Sequence, residues 1–124
     1  MLGNEEIAMT REFIRLFEFE KNCKYIGLGE DDVREIENRI IENPTIGYMI
    51  RGTGGIRKFR IVLPNRGKSG GARVVFVDFA SFSKTYLLTA FAKGDMDNLS
   101  QAERNELKAL VGTLKDELRK KGEK

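Results

Sequence analysis

Three β-prone runs follow one another through the middle of the chain with only short breaks between them. They cover residues 56–63, 72–79 and 86–91, and the second carries Val74, Val75, Phe76 and Val77 in succession. The breaks are PNRGKSGG, a basic turn rich in glycine, and a short stretch near residues 80–84. Consecutive strands joined this tightly pair antiparallel, as a meander. Helical patterns bracket the meander. Asp32 with Glu35 reads as an N-cap and capping box, followed by Val33, Ile36 and Ile40 on one face, and Asn43-Pro44 ends that helix. Ser100 with Glu103 reads as a second capping box, ahead of Leu107, Leu110, Val111, Leu114 and Leu118. Gly112 weakens this second helix by about 1 kcal/mol. Residues 11–19 mix alternating and helical spacing: Phe13 and Phe17 fit a first strand, and Phe17 equally fits the start of a short helix. Gly47, Gly52, Gly54 and Gly55 mark an irregular connection. The expectation is a single α+β domain over residues 1–124, with 1–10 and 119–124 flexible.

Charge is segregated along this frame. From Asn43 to Val77 there is no acidic residue, while Arg51, Arg57, Lys58, Arg60, Arg66, Lys68 and Arg73 are basic. The remainder holds 15 basic and 19 acidic residues, so a positive centre sits on an acidic remainder. Such a block repels itself unless it is solvated or meets an anion, and the densest natural anion is a nucleic-acid backbone. Strand alternation places Lys58 and Arg60 on one face and Phe59 and Ile61 on the other. A hairpin closing around Arg66-Gly67 sets Arg60 opposite Arg73 and Lys58 opposite Val75. Facing like charges are unfavourable by some tenths of a kcal/mol. A phosphate between them reverses that sign. The bland alternative is a solvated polar sheet face, but an ordinary face mixes signs.

Composition removes several function classes. The chain has no histidine and one cysteine, Cys23, so a zinc site of the usual kind and a histidine-activated nucleophile are both ruled out. Cys23 has no internal disulfide partner, no run of about 18 apolar residues is present, and residues 1–10 do not read as a signal peptide. A reducing cytoplasm is the expected location. Two phosphate motifs fail. Gly67-Lys68-Ser69 lacks the P-loop's earlier glycine, since position 62 is Val, and a strand follows it instead of a helix. Gly52, Gly54 and Gly55 precede a strand, so they make no dinucleotide site.

The runs GTGGIRKFRI (52–61), RGKSGGARVVF (66–76) and YLLTAFAKGDMDNLSQAE (86–103) together resemble RelE/HigB-type toxins of bacterial toxin–antitoxin systems. The resemblance spans roughly residues 33–115. It implies a small curved antiparallel sheet flanked by N-terminal and C-terminal helices. It also implies a ribosome-dependent mRNA endonuclease that acts in the ribosomal A site without a metal or cofactor. In that family the substrate 2′-OH is the nucleophile, and a cognate antitoxin, here expected to be of helix-turn-helix type, holds the toxin inactive. By position, Lys58, Arg60, Arg73 and Lys93 match the family's basic catalytic residues, while Arg57, Arg66, Lys68 and Phe91 fall where RNA would be contacted. The chain departs from the family in one respect: no histidine exists and no tyrosine follows Tyr86. Cations crowding Lys58 favour its neutral form, which makes it the best base by chemistry. Arg60 and Arg73 would stabilise the phosphorane, and no acid is assigned. Two rival readings remain at this level: a non-catalytic RNA- or ribosome-binding module, and a gyrase-poisoning toxin on a related scaffold.

Overall fold

The computed structural model describes residues 11–62, 71–92 and 99–122. In chain order the elements are β1 (Glu12–Arg15), α1 (Phe17–Tyr25), α2 (Glu30–Glu42), β2 (Tyr48–Met49), β3 (Arg57–Val62), β4 (Gly71–Phe79), a 3-10 turn (Ala80–Phe82), β5 (Lys84–Ala92) and α3 (Gln101–Gly122). They form an α+β fold with one five-stranded sheet, ordered β1-β5-β4-β3-β2. The meander β3-β4-β5 is antiparallel, as the short connections require. The sheet as a whole is mixed, because β1 lies parallel to β5 at the edge, pairing Phe13 with Thr85 and Arg15 with Leu87. The long connection through two helices and three strands permits that parallel pairing. The mixed spacing of residues 11–19 resolves into both alternatives: a strand to Arg15, then a helix opening at Phe17.

Helices cover both sheet faces. On one, α1 and α2 bury Phe19, Cys23, Val33, Ile36 and Ile40 against Phe59, Ile61, Val74, Phe76 and Leu87. Phe59 and Phe76 meet edge to face at 5.8 Å, and the Arg39 guanidinium lies 5.3 Å from the Phe59 centroid. Burial pushes the Cys23 thiol up to about 11, so it is an inert core residue. On the other face α3 packs Val111, Leu114 and Leu118 against Ile56, Val75, Val77, Tyr86 and Leu88.

Helix ends differ from the sequence expectation at one place. Asp32 and Glu35 do not make the first capping pair. The helix starts earlier, with Gly29 extended at its cap and accepting Asp32 as its third residue, whose Oδ2 takes the Gly29 N–H at 2.8 Å. Glu30, Asp31 and Asp32 then crowd the first turn, where the helix dipole favours them. The C-terminal box does form: Ser100 N–H donates to Glu103 Oε1 at 2.8 Å and Glu103 N–H to Ser100 Oγ at 3.1 Å. α3 continues through Gly122, so residues 119–122 are helical, while residues 1–10 and 123–124, also expected to be flexible, lie outside the described residues. Arg119, Lys120 and Lys121 suit the negative end of its dipole.

Two features hold the approach to β3. Gly47 has φ +81°, and a Cβ there would overlap the Lys58 carbonyl oxygen and lie 2.7 Å from Phe59 Cβ, so only glycine fits. The buried Thr53 donates its hydroxyl to Ile50 O at 2.7 Å and accepts Ile56 N–H at 3.2 Å, tying the Gly52–Gly55 loop to the start of β3.

Candidate nucleic-acid interface

The register of β3 on β4 sets Arg60 opposite Arg73 and Lys58 opposite Val75. Alternation sends Phe59 and Ile61 into the first core cluster, so Lys58 and Arg60 project from the face that α3 partly covers. On β4, Val74 and Phe76 belong to the first cluster and Val75 and Val77 to the second, which puts Arg73 beside Lys58 and Arg60. A bulge between Val75 and Phe76 then changes the phase of β5: Val75 pairs with Thr89 and Phe76 with Leu87, leaving Leu88 between them. As a result Leu87 and Ala90 both reach the first cluster, and Leu88 and Phe91 the second. Phe91 thereby sits next to Arg73 on the same face.

The cations here lack counter-charges. Among the described residues, Arg51, Arg57, Lys58, Arg60 and Arg73 form no ion pair. Arg73 Nη1 is shut off from solvent with no hydrogen-bond partner among the described residues, and Arg104 Nε on α3 is in the same condition. An unpartnered buried donor costs about 1–3 kcal/mol, so two of them on one side of a small protein need a reason. Around β1 the basic residues are paired instead. Arg11 meets Asp78 at 2.8 Å, Arg15 bridges Glu30 and Glu37 at 2.9 Å each, and Lys84 meets Glu12 at 2.6 Å. Hydrogen bonding from Arg15 holds the Glu30 carboxyl below its ordinary value, and Lys84 does the same for Glu12.

The structure gathers Lys58, Arg60 and Arg73 but does not gather every candidate with them. Arg57 points to the opposite face, and its guanidinium donates to Thr45 O at 2.6 Å, Gly47 O at 3.1 Å and Ile46 O at 3.2 Å. Those bonds hold the β2–β3 approach together, which is a structural task. Phe91 is 8% exposed and mostly spent on the second core cluster. Tyr86, the last tyrosine in the chain, packs edge-on against Phe79 at 5.8 Å, and burial raises its phenol pKa. Arg66, Lys68 and Lys93 lie outside the described residues. Among the described residues no three of His, Cys, Asp and Glu come together as metal ligands.

Arg104 is the functional candidate that strand-based reading passes over. A signal for it exists: Arg104, Leu107, Val111, Leu114 and Leu118 follow one another at spacings of three and four, so a guanidinium occupies an apolar-face position of α3.

The family model described as the RelE toxin of the RelE/RelB toxin–antitoxin system matches residues 31–122. Among solved structures, a mutant of the E. coli toxin RelE in the free state is similar at 17% identity, covering 72% of this chain and 90% of that chain, with a TM-score of 0.49.

Proposed function

This chain belongs to the RelE toxin family, a toxin of a toxin–antitoxin system, and from that premise we propose that it is a ribosome-dependent mRNA endonuclease. The observation that carries the proposal is the Arg60–Arg73 pair. Two cations face each other across a ladder, one with a buried nitrogen left unpartnered, and no described acid answers them. A scissile phosphate seated there is held by charge-assisted contacts from Arg60 and Arg73. Lys58, two residues along β3 from Arg60 and on its face, takes the proton from the 2′-OH as that oxygen attacks the phosphorus. Negative charge grows on the phosphate oxygens in the pentacovalent state, and the two arginines stabilise that state most. The P–O5′ bond then breaks and the leaving oxygen takes a proton from solvent, leaving a 2′,3′-cyclic phosphate and a free 5′-hydroxyl. The nucleophile comes from the substrate, so the chemistry needs no metal bound by the protein. Working on ribosomes places the protein in the cytoplasm. Among the described residues no helix is long and apolar enough to cross a membrane. A cognate antitoxin is its other partner, and a short neighbouring gene with a helix-turn-helix pattern would identify it.

The test uses programmed ribosomes and mRNA carrying a single deoxynucleotide at the scissile position. The all-ribose message should be cut with a cyclic phosphate or 3′-phosphate end, and the deoxy message should stay intact. Cutting of the deoxy message would mean that water attacks, and the mechanism would fail. Binding of both without cutting of either would favour a non-catalytic ribosome-binding module.

A further inference from the structure

A largely enclosed cavity of about 80 Å³ lies between the start of α3 and the sheet, lined among others by Lys58, Thr89, Phe91, Leu99 and Arg104. We infer that Arg104 is an RNA-phosphate ligand, so that α3 supplies a further cation to the anion site built on the strands. The identity of the anion as RNA rests on the function proposed above; the presence of an anion site does not.

Four observations support it. First, Arg104 Nε is buried and unpartnered among the described residues, the same condition as Arg73 Nη1 on the facing strand. Second, among the described residues the lining of the cavity includes two cations and no acidic residue. Third, Glu103, the acid next to Arg104, is committed to the Ser100 N–H at 2.8 Å and leaves the guanidinium unanswered. The same capping box fixes where α3 begins, and so turns Arg104, three residues before Leu107, toward the sheet. Fourth, the volume leaves room for a phosphate group, since a single water needs only about 10–15 Å³. The positive end of the α3 dipole lies at the same end of the helix and favours the same charge. A structural role would instead require a partner for Nε, and among the described residues there is none.

The experiment measures binding of a 2′-O-methyl oligoribonucleotide, which cannot be cleaved, by fluorescence anisotropy over a range of salt. It compares the full chain with Arg104→Gln, Arg104→Lys and, as a control on the exposed side of α3, Lys115→Gln. Arg104→Gln should bind about tenfold more weakly, the loss of one charge-assisted contact. Its slope of log affinity against log salt should fall by about 0.7, one phosphate on a single strand. Arg104→Lys should keep the slope and part of the affinity, and Lys115→Gln should match the unaltered chain. Without RNA, Arg104→Gln should melt no lower than the unaltered chain, since it removes an unpartnered buried donor. Unchanged binding by Arg104→Gln, or no binding by the unaltered chain, overturns the inference. A lowered melting point that Arg104→Lys restores without restoring RNA affinity also overturns it, because that is the signature of a structural role. The two readings fail separately. Arg104-dependent binding with no cleavage on ribosomes sinks the endonuclease and leaves this site standing. Cleavage that ignores Arg104→Gln does the reverse.

Discussion

Arg73 shows most plainly how one residue can be poor for stability and necessary for function. It faces Arg60 in the ladder and holds a buried, unpartnered nitrogen. The like-charge pairing costs some tenths of a kcal/mol and the orphaned donor about 1–3 kcal/mol. Truncation removes both penalties and also loses the packing of the side chain's aliphatic stem. Arg73→Ala should therefore leave stability within about 1 kcal/mol of the unaltered chain. Cleavage should drop by about 100-fold or more, because the missing contact matters most where phosphate charge develops. A urea melt beside a primer-extension assay on programmed ribosomes separates the two effects. Near-normal cleavage would remove Arg73 from the site. The pairing of Arg60 with Arg73 was legible in the sequence, since alternation and one hairpin centre determine it. The side occupied by Phe91 was not. Counting by twos from Tyr86 puts Phe91 on the wrong face, and only the bulge at Val75/Phe76 brings it beside Arg73. A bulge of this kind has no signature in the composition of LLTAF.

At the scale of elements, the three strands of the meander and the two main helices could be read from periodicity, and the errors there cluster at their ends. α2 begins before Asp32, because an extended glycine and a third-position aspartate cap it. The parallel edge strand was illegible as such, because four residues with one half-buried phenylalanine carry almost no periodic signal. α3 contains its own weakness at Gly112, where an added Cβ would meet nothing within 4 Å. Gly112→Ala should raise stability by about 0.5–1 kcal/mol, the ordinary gain in a helix interior, and should leave cleavage unchanged. A melt that moves downward would show that the helix needs the glycine for a reason other than space. The junction of β1 with α2 is electrostatic: Arg15 holds Glu30 and Glu37 together. Glu30 has a folded pKa lowered from 4.5, chiefly by its hydrogen bond to Arg15. A lowered folded pKa gives stability that is present above the unfolded value and lost as pH falls through the folded one. The stability difference between the unaltered chain and Arg15→Gln should therefore be larger at pH 7 than at about pH 3. An equal difference at both pH values would mean that packing of Arg15, not its ion pairs, holds β1 to α2.

Over the whole molecule, paired and unpaired charge lie in different places. Arg11, Arg15 and Lys84 are matched to Asp78, Glu30, Glu37 and Glu12 around β1 and the far end of β4. Lys58, Arg60 and Arg73 are matched to no described acid, on the part of the sheet that the apolar stripe of α3 leaves uncovered. The acid-free span of the sequence foretells this separation, while the role of α3 beside it emerges only once the helix is docked. A surface arranged this way should bind single-stranded RNA through phosphate contacts and release condensed counterions as it does so. Three strand cations and Arg104, each engaging one phosphate, imply a slope of log affinity against log salt of about −2.8. Affinity for an uncleavable oligoribonucleotide should then fall about 50-fold between 50 and 200 mM salt. Arg60→Gln should lower the slope by about 0.7, whereas Arg34→Gln, on an exposed helix and already beside Glu30 and Asp31, should not change it. A flat salt dependence, or equal effects of the two substitutions, would show that the protein reads RNA by some other surface. In that case the unpartnered cations of β3 and β4 would have to answer to a different anion.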